Sequence, residues 1–121
     1  MTYILVAEDD PHIQLLIQRK LEIAGYKVRT TNNGKSALEL ALTDTPRIVL
    51  LDIMLPEMNG LDVCHAIKKQ LGVKAPPIMM ISARGSQIDV NAAEQLGADD
   101  YLIKPFSLGD LLEHVQSLLR G

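Results

Sequence analysis

The sequence predicts an α/β fold in which a doubly wound, five-stranded parallel sheet, (βα)5, is covered by helices on both faces. Three observations support this prediction. Short strand-like runs alternate five times with longer segments of helical periodicity, which is the pattern of successive βα units. The connections between them are short and rich in Gly, Pro, Asn and Asp. The first strand run, residues 3–7, is apolar throughout, as expected when helices cover both faces of a sheet.

The first βα unit lies at the N-terminal end of the sequence. After the strand at 3–7, Asp10 is expected to cap a helix, with Pro11 at the first helical position, where a missing N–H costs nothing. Apolar residues then recur at helical spacing until Gly25, a residue type that commonly ends helices. The strand and the helix are therefore joined by a short acidic loop.

The remaining units repeat this order and are separated by turn-forming residues. Asn59 is expected to cap the third helix and Ser107 the fifth, and Pro76 and Pro77 introduce the fourth strand. The predicted strands are 28–31, 47–51, 78–82 and 101–104, and the predicted helices are 35–44, 60–71, 86–96 and a final helix after Ser107.

Charged side chains end or follow three of the predicted strands. Glu8, Asp9 and Asp10 follow the first strand, Asp52 follows the third, and Lys104 ends the fifth, after Tyr101, Leu102 and Ile103. In open parallel sheets, ligands bind outside the carboxyl ends of the strands, where the strand order reverses. For Asp9 and Asp52 to meet there, the first and third strands must be neighbours. This requirement predicts the strand order 2-1-3-4-5.

A cluster of carboxylates needs a positive partner. Two like charges about 4 Å apart repel by roughly 4 kcal/mol at an effective dielectric constant of about 20, and a divalent cation relieves this repulsion. Ligands that are all oxygen favour a hard ion such as Mg²⁺. Asp10 is better interpreted as the helix cap described above. Asp52 has bulky apolar neighbours and a proline four residues later, a poor context for a cap, and a carboxylate there is costly unless a cation pairs with it.

Lys104 and Ser82 each allow two interpretations. Lys104 could extend its ammonium into solvent, or a cis peptide bond to Pro105 could turn the side chain back over the strand ends. Ser82 ends the fourth strand in the same plane, although a serine at such a position is by itself more typical of a cap.

Composition argues against several classes of function. The net charge of −3 and the scattered basic residues do not favour direct nucleic-acid binding. Cys64 is the only cysteine, so an internal disulfide is excluded and a reducing compartment is expected. The sequence has neither a signal-peptide pattern nor an apolar run of about 18 residues, which predicts a cytoplasmic protein without membrane association. A length of 121 residues is typical of one domain.

Taken together, these residues resemble the receiver domain of two-component response regulators, which has a flavodoxin-like fold. The resemblance covers essentially the whole of 1–121 as a single receiver domain. It rests on four segments that occur in the same order as in that family. They are ILVAEDDP at 4–11, LDIMLPEMNG at 51–60, MISA at 80–83 and GADDYLIKPF at 97–106.

The resemblance implies a role for each matching residue. Asp52 is expected to accept a phosphoryl group from a sensor histidine kinase, a phosphotransfer domain or a small phosphodonor. Lys104 and the Ser82 hydroxyl are expected to contact the phosphoryl oxygens. Such a domain catalyses only its own phosphorylation and dephosphorylation and is not an enzyme acting on other substrates. The expected Mg²⁺ ligands, with Mn²⁺ as a possible substitute, are Glu8, Asp9, Asp52 and the backbone carbonyl of Met54.

The resemblance also implies a switch. Ser82 would move towards the phosphoryl group and Tyr101 would turn inward; the alternative is that Tyr101 is only an amphipathic aromatic residue at the sheet edge. The surface formed by the fourth helix, fifth strand and fifth helix would then signal to an output domain or a downstream protein. Glu8 stands where many members have Asp, and Ser82 where Thr is more frequent; either difference could alter the lifetime of the phosphorylated state.

Three other functions fit the sequence less well: an aspartyl-nucleophile phosphatase, a nucleotide-binding protein and a docking module. An aspartyl-nucleophile phosphatase of the haloacid dehalogenase type needs an Asp where this chain has Met54, and nucleotide binding needs glycine motifs that are absent after the first strand. A pseudo-receiver that only docks would have no need of the acidic residues, Ser82 and Lys104.

A charge-paired dimer through the surface of the fourth helix, fifth strand and fifth helix is in doubt, because the fourth and fifth helices lack the expected basic residues. Asp89, Asp99 and Asp100 supply the acidic side of that surface, and its neutral residues include Ile88, Val90, Asn91, Ala92, His114 and Gln116. The remaining residues are interpreted as structural: Cys64 as a core residue, Met79 and Met80 as part of a buried strand, and His12, His65 and His114 as surface or helix-face histidines.

Overall fold

Five parallel strands form one sheet in the order β2-β1-β3-β4-β5 in the computed structural model, which describes residues 2–120. The predicted doubly wound topology and strand order are confirmed. The strands are β1 (Ile4–Ala7), β2 (Val28–Thr31), β3 (Ile48–Asp52), β4 (Ile78–Ser82) and β5 (Asp100–Ile103). The helices are α1 (Pro11–Ile23), α2 (Gly34–Asp44), α3 (Gly60–Leu71), α4 (Gln87–Gln95) and α5 (Leu108–Arg120), with a short 3-10 turn at Gly72–Lys74.

Several predicted boundaries were wrong by one residue, and two of these differences affect the strand ends that matter most. Asp52 is the last residue of β3, because the ladder with β4 extends to an Asp52–Ile81 pair. Lys104 lies just beyond β5, whose last residue, Ile103, pairs with Ser82. The other differences are that β1 is Ile4–Ala7 and not 3–7, α2 is Gly34–Asp44 and not 35–44, and α4 is Gln87–Gln95 and not 86–96.

The core lies in two layers, one on each face of the sheet. Alternate residues of β1 point to opposite faces, so that Ile4 and Val6 pack with α1 and α5, whereas Leu5 packs with α2, α3 and α4. This alternation explains why the central strands are apolar at every position before the polar residues that end β3 and β4. Cys64, Met79 and Met80 are buried in these layers, as predicted. Burial raises the pKa of the Cys64 thiol to about 11.

Side-chain caps begin three helices at the predicted residues. Asp10 Oδ1 accepts hydrogen bonds from the backbone N–H groups of His12 (2.9 Å) and Ile13 (3.3 Å) at the start of α1. Asn59 and Ser107 cap α3 and α5 in the same way, each accepting from the N–H three residues later, at 3.0 Å. At the other end of α1, Gly25 has a φ of 99°, a left-handed conformation that glycine adopts readily.

Three acidic residues of the α4–β5–α5 surface have partners within the chain. Asp89 pairs with Arg84 at 2.9 Å, and Asp99 pairs with Lys68 at 2.8 Å. Asp100 lies 2.6 Å from His114 Nδ1, a contact that the sequence spacing of 14 residues did not reveal. Among the described residues, no helix is both long and apolar enough to cross a membrane.

Two isoleucines of α1 provide a matched test of this packing. Ile17 is fully buried between α1 and the sheet, whereas Ile23 is 86% exposed. We expect Ile17→Ala to lower the free energy of unfolding by about 2 to 5 kcal/mol, because it leaves a cavity in the core. Ile23→Ala should change it by less than about 0.5 kcal/mol. Urea denaturation of both variants measures the difference, and equal effects would contradict the assigned packing.

Candidate functional site

An ammonium group bridges two buried carboxylates at the carboxyl edge of the sheet. Lys104 Nζ lies 2.8 Å from Glu8 Oε1 and 2.9 Å from Asp52 Oδ2. Glu8 follows β1, Asp52 ends β3 and Lys104 follows β5. The strand order brings these three strand ends to the same edge of the sheet. The Lys104 side chain is only 20% exposed, so it does not extend into solvent. The peptide bond between Lys104 and Pro105 is cis.

Three carboxylates form one acidic cluster at this edge. Glu8, Asp9 and Asp52 each present an oxygen atom, and these atoms all lie within 4.8 Å of one another. Glu8 and Asp52 are buried, whereas Asp9 is exposed. The cluster is therefore closed on the side of the sheet and open to solvent beside Asp9.

Backbone groups hold the two buried carboxylates in place. Asp52 Oδ1 accepts a hydrogen bond from the N–H of Met54 at 3.0 Å, which leaves Oδ2 for Lys104. Glu8 Oε2 accepts from the N–H of Asp10 at 3.2 Å. Glu8 Oε1 contacts the Lys104 ammonium but is buried without a hydrogen bond of good geometry among the described residues.

The electrostatics of the site follow from this burial. The net pKa of Glu8 is raised to about 7, chiefly by burial; Lys104 and the Asp10 N–H lower it, and the nearby Asp52 adds to the rise. For Lys104, burial lowers the pKa, but hydrogen bonds and charge interactions with Glu8 and Asp52 outweigh it, and the net pKa is raised. Lys104 is therefore held as an ammonium ion, whereas the ionised form of Glu8 is disfavoured.

The chemistry of this donor set fits a divalent cation. One ammonium cannot neutralise three carboxylates, and burial of uncompensated negative charge is costly. Every side-chain ligand is oxygen, which suits Mg²⁺ or Mn²⁺. The carbonyl of Met54 is the fourth ligand expected from the sequence. The N–H of the same residue donates a hydrogen bond to Asp52 Oδ1, so the Met54 backbone lies beside the cluster. The geometry therefore accommodates a hard cation between Glu8, Asp9 and Asp52.

Ser82 lies at the end of β4, on the other side of Asp52 from β1. Its side chain is buried, and its Oγ accepts a hydrogen bond from the N–H of Arg84 at 3.0 Å. Its carbonyl accepts from the N–H of Lys104 at 2.8 Å. Ser82 is thus bonded both to the loop that precedes α4 and to the residue that bridges the carboxylates.

Tyr101 is partly buried on β5, and its hydroxyl donates a hydrogen bond to the carbonyl of Arg84. The N–H of Arg84 donates a hydrogen bond to Ser82 Oγ. One peptide segment, at Arg84, therefore connects the two residues that were expected to form the switch. This role of Arg84 could not be predicted from the sequence, because it depends on backbone atoms rather than on a side chain.

Gln14 is a second residue that the sequence analysis missed. Its side-chain amide donates to the carbonyl of Glu8 at 2.9 Å and to the carbonyl of Thr31 at 3.1 Å. These carbonyls lie at the ends of β1 and β2, so Gln14 holds the acidic loop against the neighbouring strand. Its position in α1, four residues after the cap Asp10, is the only sequence signal that could have suggested this contact.

Comparisons with known proteins agree with this architecture. Residues 4–116 match the family model described as "Response regulator receiver domain". The response regulator ArlR of Staphylococcus saprophyticus is 39% identical over 120 residues, which cover 99% of this chain and 53% of that protein. The alkaline phosphatase synthesis transcriptional regulatory protein PhoP of Bacillus subtilis is 39% identical over 117 residues, covering 97% and 48%. This chain thus spans about half the length of these relatives.

Solved structures show the same similarity in three dimensions. The receiver domain of the Francisella response regulator 1452 superposes with a TM-score of 0.92 at 32% identity, covering 99% of this chain and 98% of that one. The BeF3-activated N-terminal receiver domain of Klebsiella pneumoniae RstA gives a TM-score of 0.89 at 30% identity, covering 98% of each chain.

The raised pKa of Glu8 predicts a pH dependence of stability. An acid whose pKa rises from 4.5 to about 7 on folding binds its proton more tightly when folded, so it destabilises the fold as pH rises through that window. Glu8→Gln removes this titrating group, which otherwise faces Asp9, Asp52 and Lys104. In the absence of divalent cations, we expect the stability of Glu8→Gln relative to wild type to increase between pH 4.5 and 7 in urea denaturation.

Glu94→Gln is the matched control, because Glu94 is exposed in α4 and distant in sequence from the cluster. Its stability relative to wild type should stay nearly constant over the same pH range. A constant difference for Glu8→Gln as well would contradict the assigned electrostatics.

Proposed function

This chain belongs to the response regulator receiver domain family of two-component systems, and we propose that it is a phosphorylation-controlled switch whose phosphoacceptor is Asp52. The observation that carries this proposal is the Lys104 ammonium placed between Glu8 and Asp52, at 2.8 and 2.9 Å, within a cluster of three carboxylates. In this proposal, residues 1–121 act as one receiver domain.

The chain's own residues supply most of what phosphoryl transfer requires. That reaction depends on in-line positioning and on neutralising the negative charge of the equatorial oxygens. A carboxylate oxygen of Asp52 attacks the phosphorus atom, a new P–O bond forms, and the P–N bond to the donor histidine breaks. The electron pair of the broken bond returns to the imidazole. Lys104 lies beside Asp52 Oδ2 and stabilises the developing charge as a fixed ammonium.

A divalent cation completes the neutralisation. Glu8, Asp9, Asp52 and the Met54 carbonyl are the residues that would hold Mg²⁺, or Mn²⁺ in its place, and the ion would supply a second positive charge for the phosphoryl oxygens. Glu8 has one more methylene than the Asp found in many family members. Glu8 Oε1 is buried beside Lys104 Nζ and within 4.8 Å of the other two carboxylates, which supports a direct or water-mediated role for this longer side chain.

Ser82 and Tyr101 carry the signal away from Asp52 in this proposal. The phosphoryl group adds strong acceptor oxygens, and the Ser82 hydroxyl rotates to donate to one of them. This movement changes the hydrogen bond from the Arg84 N–H, while Tyr101 holds the carbonyl of the same residue. Phosphorylation then shifts an equilibrium between two arrangements of the β4–α4 loop, defined here as residues 83–86. The α4–β5–α5 surface reports the shift.

The proposed partners follow from this chemistry. A sensor histidine kinase or a phosphotransfer domain provides the phosphoryl group, and small phosphodonors such as acetyl phosphate replace it. An output domain or a downstream protein reads the α4–β5–α5 surface. The domain itself binds neither nucleic acid nor membrane, acts in the cytoplasm, and catalyses only its own phosphorylation and dephosphorylation. Its neutral, exposed Ile88 favours a partner other than a charge-paired copy of the chain.

Phosphorylation of Asp52 is tested directly by mass spectrometry. Incubation of the wild-type protein with acetyl phosphate and Mg²⁺ should add one acid-labile phosphoryl group, and Asp52→Asn should abolish the gain because the nucleophile is gone. Asp110→Asn, which changes an exposed acid in α5, should behave like wild type. An unchanged mass gain in Asp52→Asn would falsify the assignment, and no gain in wild type would favour a docking module.

The switch is tested by hydrogen exchange with beryllofluoride as the phosphoryl mimic. In wild type, beryllofluoride and Mg²⁺ should change the exchange rates of amides in the β4–α4 loop. Ser82→Ala should bind the mimic but show a much smaller change there, because it lacks the hydroxyl that links Asp52 to Arg84. An equal response in both proteins would show that Ser82 does not couple the site to the loop.

A further inference from the structure

The first residue of α2 is pressed against the loop that follows Asp52. This β3–α3 loop, defined here as residues 53–59, is held by a glycine, Gly34, that is distant in sequence. A Cβ atom built on Gly34 would lie 1.7 Å from the carbonyl oxygen of Met58 and 2.6 Å from its carbonyl carbon. These are backbone atoms, so a larger residue could be accommodated only by moving the loop or α2.

A hydrogen bond joins the same two elements. The N–H of Gly34 donates to the carbonyl of Pro56 at 3.1 Å. That carbonyl also accepts from the N–H of Met58 at 2.8 Å, which closes a three-residue turn around Glu57. Glu57 has a φ of 69°, an unfavourable conformation for a residue with a side chain. The loop therefore keeps a strained conformation, and the contact with Gly34 is one of those that hold it.

The loop is in turn bonded to the site. The N–H of Met54 donates to Asp52 Oδ1 at 3.0 Å. At the far end, the N–H of Gly60 donates to the carbonyl of Ile53 at 2.8 Å, and a Cβ on Gly60 would lie 2.2 Å from the carbonyl oxygen of Asp52. A continuous set of backbone contacts thus runs from the start of α2 to the Asp52 carboxylate.

We propose that Gly34 is a positioning residue for the phosphoacceptor site, which acts by holding the β3–α3 loop so that Met54 and Asp52 keep the geometry needed for the cation. Gly34 touches neither the carboxylates nor the phosphoryl group and acts only through the loop. This inference rests on the proposed function, because it concerns the same cation and the same Asp52.

A reciprocal effect follows from the coupling. If the position of α2 changes the affinity for Mg²⁺, then Mg²⁺ must by linkage stabilise the contact between α2 and the loop. The amide of Gly34 is the donor in that contact. We therefore expect MgCl2 to slow hydrogen exchange of the first turn of α2 as well as that of the β3–α3 loop.

Gly34→Ala tests the inference through Mg²⁺ binding. Isothermal titration with MgCl2 should give a dissociation constant about 10 to 100 times higher than that of wild type, the usual effect of removing a group that orients metal ligands. Circular dichroism checks that the variant is folded. A dissociation constant within twofold of the wild-type value would overturn the inference, since α2 would then have moved without disturbing the site.

Two other glycines provide matched controls. A Cβ on Gly109 would meet only Ser107 Oγ, at 3.9 Å, so Gly109→Ala should leave Mg²⁺ binding unchanged. Gly97 has a φ of 108° and a Cβ there would lie 2.5 Å from Lys68 Cγ, so Gly97→Ala should lower thermal stability. It should nevertheless bind Mg²⁺ as wild type does. If Gly97→Ala weakened Mg²⁺ binding as much as Gly34→Ala, the effect would be one of general destabilisation and the inference would fail.

Hydrogen exchange of the wild-type protein keeps the inference testable if Gly34→Ala does not fold. Slower exchange at the start of α2 on addition of MgCl2 supports the coupling. Slower exchange in the β3–α3 loop alone, with α2 unchanged, contradicts it while leaving the proposed function intact. A wild-type protein that binds no Mg²⁺ would contradict the proposed function, and the inference would then fail with it.

Discussion

The bridge from the Lys104 ammonium to Glu8 and Asp52 is the interaction on which the rest of the site depends. Both carboxylates are buried, and burial of an unpaired charge is strongly unfavourable. One ammonium satisfies part of this requirement, yet the pKa of Glu8 is still raised, chiefly by burial. The fold thus gathers negative charge at one point, and we propose that a divalent cation completes its neutralisation there.

The strand order converts this local chemistry into a site. Because β1 and β3 are neighbours and β4 and β5 follow on one side, the residues at their carboxyl ends meet although they are far apart in sequence. Loops then refine the positions. The β3–α3 loop bonds to Asp52, Gln14 bonds to the backbone of Glu8, and Arg84 lies between Ser82 and Tyr101. The groups that we propose to carry out the chemistry are thus held largely by hydrogen bonds to backbone groups.

The sequence was sufficient to predict the fold, the strand order and the convergence of the acidic residues. The fold follows from apolar periodicity, and the other two follow from the positions of Asp9 and Asp52 after their strands. It was also sufficient for the Asp10 cap, a local contact. Strand ends were less certain: Asp52 belongs to β3 because of its pairing with Ile81. The Asp100–His114 pair, the two bonds of Gln14 and the Gly34 contact could not be predicted, because each depends on the packing of distant elements.

The central claim is that Glu8, Asp9 and Asp52 jointly hold a divalent cation beside the phosphoacceptor. A crystal structure of the protein grown with MnCl2, using the anomalous scattering of manganese, tests this claim most directly. We expect one strong anomalous peak bonded to the carboxylates of Asp9 and Asp52 and to Glu8, directly or through water, with Lys104 still in contact with the site. A fully occupied manganese ion elsewhere, with these three carboxylates unliganded and directed towards bulk solvent, would contradict it.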